Sequence, residues 1–509
     1  MSRLTDAPRP PGQSRPGASP REQLEEADRL RQQGKLDRAE AICYPLARRY
    51  PGYVAAMHTL GLVYLDKGNF ERALDWLVRA SMLEPTNWMT LTALSLTYLR
   101  LGANEAAAQT LERALAARPD DSAILASLGE IHREDREYEA AADAYRRAWT
   151  LDPQLQSAAI GLALSLSALG KSGEAADVLS KAYALGHRSL NLLHVMTTLP
   201  PNAVNIDLLA ALDRLAVDRT AADAESKNTF LFARAAALDA AGRHAEAWQT
   251  LVAANRPLAA RYQNELKADV ARRARVLDRI RSMPAKSMLP VVAGVHPISL
   301  FILGPSRSGK TSLELLVGAW AGAKAGFEVP IVENAMRRTF HGAAIPTGNF
   351  LEELPPHLLP SFRENYLEDL ARRARGARVF TNTSPGGIHI AGLIAAAIPN
   401  VRFVLVKRSL DDVIWRIYLT KYLFGNSYAY DLATIRDYLS WYNTMMDLTA
   451  EKLPDITRIV SYETMVDDPA AVLRAVAGLC GLGVNEGPVP AVAHDRGCAA
   501  PYREFIGQG

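Results

Sequence analysis

The chain has 509 residues, 49% hydrophobic and 22% charged, an ordinary composition that excludes a wholly disordered or collagen-like chain. Its 58 basic and 55 acidic residues leave a net charge of +3, too balanced to single out a nucleic-acid partner. This length suits roughly two to four domains. The three cysteines, Cys43, Cys480 and Cys498, lie far apart without metal-ligand spacing. That sparse, odd count fits a reducing compartment, so a cytoplasmic location is expected. No apolar run approaches the ~18 residues of a membrane span. The first residues, MSRLTDAPRPPGQSRPGASP, carry basic groups with no apolar core behind them and do not read as a secretory signal. Their Pro, Gly and Ser content predicts a disordered tail over residues 1–20.

A 34-residue period follows over residues 21–187. Counting from Val54, Leu60, Gly61, Tyr64, Gly68, Phe70, Ala73, Ala80 and Pro85 mark the period; one period later it gives Leu94, Tyr98, Gly102, Ala107, Ala114 and Pro119. A further period gives Leu128, Gly129, Tyr138, Ala141, Ala148 and Pro153. Small residues at fixed offsets let paired helices approach closely, and the proline ends each pair. This pattern resembles the tetratricopeptide repeat, so the resemblance implies an α-solenoid with a concave binding surface.

Residues 188–290 stay helical but irregular and are predicted to form a linker with one degenerate repeat around Gly242, Ala247 and Ala254. The basic run ARRARVLDRIRSM at its end reads as a solvated helix face.

The pattern changes at Ile298. ISLFIL is a buried strand, GPSRSGKT a tight loop, and SLELLVGAW an apolar helix. Later strands are predicted at 377–382, 401–407 and 457–463, separated by helices, so residues 291–509 read as an α/β P-loop domain with a parallel sheet. The loop satisfies G-x-x-x-x-G-K-[ST] between a strand and a helix, the context that makes it a phosphate site. Gly304, Ser306, Arg307, Ser308, Gly309, Lys310, Thr311 and Ser312 are the candidate anion-binding residues. Their backbone N–H groups, the helix dipole and the Lys310 and Arg307 charges would converge on a phosphate.

Magnesium-dependent phosphoryl transfer also needs an acidic residue at another strand end. The candidate strands end in Thr381-Asn382, Lys407-Arg408 and Glu463 after a tyrosine; none is an apolar run closed by Asp. No metal is therefore expected, with a kinase or NTPase kept as the alternative.

The remaining segments carry a second resemblance. FILGPSRSGKTSLELLVG is similar to the 5′-phosphosulfate loop of sulfotransferases, whose usual form is G-x-P-R-S-G-T-T. VRFVLVKRSLDDVIWRIYLTKY resembles their 3′-phosphate segment, R-D-P-x-D-x-x-x-S-x-Y, with Arg408, Asp412 and Tyr418 on its arginine, aspartate and tyrosine. YDLATIRDYLSWYNTMMDLTAEKLP and RIVSYETMVDDPAAVLRAVAGLCGL resemble the downstream helices and strand. The order of repeats then P-loop domain resembles bacterial repeat-containing, tyrosylprotein-sulfotransferase-like enzymes, over most of residues 21–482.

That resemblance implies sulfuryl transfer from 3′-phosphoadenosine 5′-phosphosulfate to an acceptor hydroxyl or amine. It implies Arg408 and Arg416 on the 3′-phosphate and Glu328 as base, with Glu333 the competitor if the loop differs in length. Arg307 and Lys310 would stabilise the transferring group. The acceptor, a peptide, glycan or other molecule held by the repeats, is not legible, and a protein partner is equally open. Four positions depart from the pattern. Lys310 stands where the family has threonine, Thr383 where it has a lysine on the leaving oxygen, and Arg416 where it has serine. The tail after Leu482 is shorter than the family's nucleotide-covering loop. Two readings follow: an altered but active enzyme with Lys310 replacing the missing lysine, or a repeat scaffold with a degenerate nucleotide site.

Overall fold

The computed structural model describes residues 19–217, 223–283, 296–320, 322–342, 354–422, 425–483, 489–492 and 494–507. The tail expected over residues 1–20 lies outside them up to residue 18. The chain divides into two compact units, one ending at His187 and one beginning at Arg188.

The first unit contains, among its described residues, ten helices from Pro20–Gln32 to Ser172–Ala184. Each consecutive pair is one sequence period. Val54–Asp66 and Phe70–Leu83 form the second pair, with Asn69 capping the second helix by accepting the Arg72 N–H. The predicted small residues are the contact points: Ala73, Ala80, Ala107, Ala114, Ala141 and Ala148 are fully buried.

The turn inside each pair needs a left-handed residue. Gly34, Gly68, Gly102 and Gly170 supply it with φ of 72°, 73°, 74° and 76°. In the one intervening period the same place is taken by Arg136, at φ 61°. A side chain there meets the steric penalty that glycine avoids.

The second unit is built on a five-stranded parallel sheet: β1 Ile298–Leu303, β2 Ala323–Lys324, β3 Val379–Asn382, β4 Val401–Lys407 and β5 Thr457–Ser461. Their order is β2-β3-β1-β4-β5, so β1 lies between β3 and β4. Both faces are covered. Leu300 and Ile302 of β1, with Val404 and Val406 of β4, pack against Leu313, Leu316 and Val317 of the helix Lys310–Gly318. Phe301, Leu303, Phe403 and Leu405 pack on the opposite core, with helices Leu359–Ala374, Leu410–Tyr418 and Leu432–Lys452. This two-sided burial explains the near-continuous apolar strands.

Residues 188–283 are not a detached connector. Phe232, Leu251, Leu258, Val276 and Ile280 belong to the same core as β1 and β4. Trp248 stacks on Trp415 and Phe505, and the Asn255 side chain donates to the Tyr418 carbonyl at 3.1 Å. The basic run is only partly a solvated face. Arg273 is 3% exposed, ion-paired to Asp269 and Asp437 and lying over the Tyr438 and Trp441 rings.

Arg136→Gly should raise stability by about 1 kcal/mol, because it removes a left-handed arginine from a turn that four glycines make elsewhere. Thermal unfolding checks this, and a lower midpoint would show that the Arg136 side-chain contacts outweigh the backbone strain.

Candidate functional site

The loop Gly304–Gly309 leaves the C-terminal end of the central strand and enters the helix Lys310–Gly318. Ligands of parallel sheets bind at this end, where neighbouring connections diverge. Gly309 caps the helix at φ 98°, and a Cβ there would strike the Tyr462 ring. The position therefore requires glycine both for its backbone and for its close approach to Tyr462.

Within the loop the candidate residues differ. Gly304 and Ser308 are buried, Ser306 and Ser312 half-buried, Arg307 and Thr311 exposed. Ser306 shares a hydrogen bond with the Tyr422 hydroxyl at 2.8 Å. Arg307 has a left-handed backbone, φ 66°, and its carbonyl accepts from Arg408 Nη1 at 3.1 Å. Ser308 Oγ is buried without a hydrogen-bond partner. A buried hydroxyl lacking a partner at an anion-binding loop is the observation that fits a phosphate group to these residues.

Lys310 is 6% exposed and its Nζ donates to the Pro305 carbonyl at 2.9 Å. Burial pushes its pKa down to about 8, against the favourable charges of Glu328 and Glu314 and with the opposing charge of Arg307. The lysine thus lies among the two candidate catalytic groups, Glu328 and Arg307, and caps the loop's own carbonyl.

Glu314 is a site residue that the sequence reading missed. It lies in the apolar P-loop helix, fully buried. Its carboxylate accepts from the Phe327 N–H at 2.7 Å, from Thr383 Oγ1 at 3.0 Å, and from Thr381 Oγ1. Burial raises its pKa to about 7 in spite of these bonds, and the Glu328 charge adds to the rise. Phe327 has φ 54°, and the Thr383 N–H donates to its carbonyl at 3.0 Å. One buried carboxylate therefore fixes the turn that carries Glu328. The Thr383 hydroxyl thus has a structural partner in Glu314. The signal available beforehand was a lone carboxylate inside an otherwise apolar helix.

Glu328 is exposed in that turn, whereas Glu333 is half-buried at the start of Ile331–Gly342, where burial raises its pKa. Glu463, the acidic strand-end alternative, accepts from the Ser409 N–H at 2.9 Å and from Ser461 Oγ at 2.7 Å, a capping role. Among the described residues no group of three His, Cys, Asp or Glu is placed to hold a metal ion.

Arg408 and Arg416 come together at the end of β4 and along the helix Leu410–Tyr418. Arg408's side chain is 4% exposed, lies 4.3 Å from the Tyr462 ring centroid, and keeps a buried, unpartnered Nε. Asp495 pairs with both, at 2.8 Å to Arg408 Nη2 and 2.9 Å to Arg416 Nε. Asp412 accepts from the Gly497 and Ala499 N–H groups at 2.7 and 3.0 Å, and Tyr502 stacks on Trp415 at 3.5 Å. Gly497, Ala499 and Tyr502 are thus built onto this helix. Cys498 is not poised as a nucleophile, since burial raises its thiol to about 12.

Strand, glycine loop and helix N-terminus make the second unit a parallel α/β domain with a G-x-x-x-x-G-K-T loop at its strand ends. Residues 297–486 match the sulfotransferase family, and residues 24–81 and 92–155 match the tetratricopeptide repeat. The chain thus carries tetratricopeptide repeats followed by a sulfotransferase-family domain. No curated protein matches it. Among solved structures, a MamA protein is similar at 23% identity over 32% of this chain and 89% of that one, TM-score 0.30. MamA from Desulfovibrio magneticus RS-1 gives 21% over 33% and 96%, TM-score 0.31. YrrB, a TPR protein with an unusual peptide-binding site, gives 19% over 35% and 91%, TM-score 0.31. These likenesses concern a third of the chain.

Two outcomes follow. Glu314→Gln should cost about 1–3 kcal/mol, because an amide cannot accept from all three donors. The wild-type carboxyl is protonated up to about pH 7 when folded but only to about 4.5 when unfolded. Its folded form holds the extra proton in that window, so stability from this group falls as pH rises through it. Thermal unfolding against pH should show that slope weakened in Glu314→Gln; an unchanged slope would contradict the assignment. For Lys310, the ammonium is present below about pH 8 and lost above it. Affinity for a 5′-phosphate should therefore weaken as pH rises past that value, measured by calorimetry, and Lys310→Met should abolish the pH dependence.

Proposed function

We propose that this chain transfers a sulfuryl group from 3′-phosphoadenosine 5′-phosphosulfate to an acceptor hydroxyl or amine. The single observation that carries this reading is the placement of Arg408 and Arg416 beside the P-loop, with Arg408 hydrogen-bonded to the loop's Arg307 carbonyl. A nucleotide with phosphates on both the 5′ and 3′ positions needs two adjacent cationic sites. A nucleoside triphosphate needs only the first.

The donor supplies an activated sulfur–oxygen bond whose cleavage releases adenosine 3′,5′-bisphosphate. The 5′ end would rest on the N–H groups from Ser308 to Thr311 at the helix N-terminus, with Ser308 Oγ as a further donor. Arg307 is exposed at the loop crest, suited to the sulfonate oxygens. Lys310 would turn from the Pro305 carbonyl toward the leaving oxygen, neutralising charge as it develops. It would then serve the role that the family gives to the lysine replaced by Thr383. Glu328, exposed in the turn held by Glu314 and electrostatically coupled to Lys310, is the base we assign to the acceptor proton. Glu333 is less suited, since it is half-buried.

Domain boundaries follow the same reading: repeats over 21–187 present the acceptor or a protein partner, and the catalytic domain covers 291–509 with residues 188–290 as its helical support. No helix among the described residues is long and apolar enough to cross a membrane. We assign a cytoplasmic location on the cysteine count.

Calorimetry separates the reading from its competitor, a magnesium-dependent NTPase. Adenosine 3′,5′-bisphosphate should bind without metal and be insensitive to chelator. Arg307→Ala should weaken that binding by about 2 kcal/mol, the scale of a charge-assisted hydrogen bond. Chelator-sensitive ATP hydrolysis with no affinity for the bisphosphate would overturn the proposal.

A further inference from the structure

Asp495 occupies the meeting point of the two arginines. Its Oδ1 is 2.8 Å from Arg408 Nη2 and accepts from the Tyr462 hydroxyl at 3.0 Å; its Oδ2 is 2.9 Å from Arg416 Nε. These three donors come from three elements: the end of β4, the C-terminal turn of the helix Leu410–Tyr418, and the start of the helix after β5. Converging charged donors of this kind suit a tetrahedral anion at least as well as a carboxylate. A phosphate also offers a further oxygen, and the site has a buried donor left over: Arg408 Nε, unpartnered on a side chain only 4% exposed.

The carboxylate is held there by charge and not by enclosure. Its side chain is 34% exposed and that of Arg416 35%, so an outside anion can reach the pair. Burial would raise the Asp495 carboxyl, but Arg416, Arg408 and Tyr462 hold it below the usual carboxylate range. The turn that carries Asp495 has further anchors besides its carboxylate: the Gly497 and Ala499 N–H groups on Asp412, which itself lies 3.7 Å from Arg408 Nη2, and the Asp495 carbonyl, which accepts from Arg408 Nη2 at 3.2 Å. The carboxylate can therefore leave the arginines without the turn losing those anchors.

We infer that Asp495 is a built-in competitor for the nucleotide 3′-phosphate: it fills the Arg408–Arg416 site as an internal counter-ion, and a 3′-phosphorylated ligand binds by displacing it. This rests on the sulfotransferase reading above and adds to it a residue that sets nucleotide selectivity. An internal competitor lowers apparent affinity by the fraction of time the site is filled. It does so only for ligands that use that site. Asp495 thus sets how far the chain prefers 3′-phosphorylated nucleotides over plain 5′-monophosphates.

The test is calorimetric titration of the full chain with adenosine 3′,5′-bisphosphate and with AMP, in the wild type, Asp495→Asn and Asp495→Ser. The serine variant keeps an acceptor for Tyr462 if the asparagine variant fails to fold, and thermal unfolding checks each. The expected result is that bisphosphate affinity rises about tenfold or more in the variants, the size of effect from removing a competitor that fills the site nine-tenths of the time. AMP affinity should stay within about twofold of the wild type, since it does not use the site. If the wild type prefers the bisphosphate and the variants bind it equally or less well, Asp495 is a brace for the arginines and the inference is overturned while the nucleotide reading stands. If no form prefers the bisphosphate over AMP, the 3′-phosphate reading itself fails, and the inference with it.

Discussion

The buried Glu314 carboxylate is the constraint around which the rest of this site is arranged. It lies in the second turn of the P-loop helix, and its oxygens accept from the Thr381 and Thr383 hydroxyls at the end of β3 and from the Phe327 N–H in the connection after β2. A carboxylate at that depth is costly unless its bonds are complete. Keeping them complete fixes three segments relative to one another: the phosphate loop, the strand beside it and the turn bearing Glu328. The left-handed backbone at Phe327 persists because these bonds hold it from both sides.

A second electrostatic problem is set by the proposed anion site. Arg307, Lys310, Arg408 and Arg416 gather at one end of the sheet. Lys310 responds by burying its ammonium on the Pro305 carbonyl, and Arg408 by pairing with Asp495 and leaning on the Tyr462 ring. Lys310, Arg408 and Arg416 are thus provisionally satisfied by a neutral dipole or an internal carboxylate. Both partners are weaker matches than a phosphate, which is the condition under which a ligand can replace them.

Much of the fold was legible in the sequence because its signals are local and periodic. The repeat helices begin where the 34-residue period places them, and the four predicted strand segments contain β1, β3, β4 and β5, although the last ends at Ser461 and Tyr462 and Glu463 open a helix. The two-residue strand β2 was not legible, since a strand that short leaves no pattern. The role of residues 188–283 was hidden for another reason. Its contacts, such as Trp248 on Trp415 and Asn255 on Tyr418, join segments more than 160 residues apart, as the Asn255–Tyr418 spacing shows. The loop could be found by its spacing, and the resemblance to the sulfotransferase 3′-phosphate segment pointed to Arg408 and Arg416. Glu314 and Asp495 could not be found, because the first sits in a helix that looks like plain core and the second in a tail whose partners are fixed only by folding. The threonine at 383, which reads as a lost lysine, meets its structural partner Glu314 only in the folded chain.

The central claim is that the P-loop and the Arg408–Arg416 pair together hold one doubly phosphorylated nucleotide. A crystal structure of the full chain with adenosine 3′,5′-bisphosphate tests this most directly. The account predicts the 5′-phosphate on the N–H groups of Ser308 to Thr311, within reach of Ser308 Oγ, and the 3′-phosphate against Arg408 and Arg416. A nucleotide bound through the P-loop with its 3′-phosphate in solvent, and Asp495 still paired to both arginines, would contradict it.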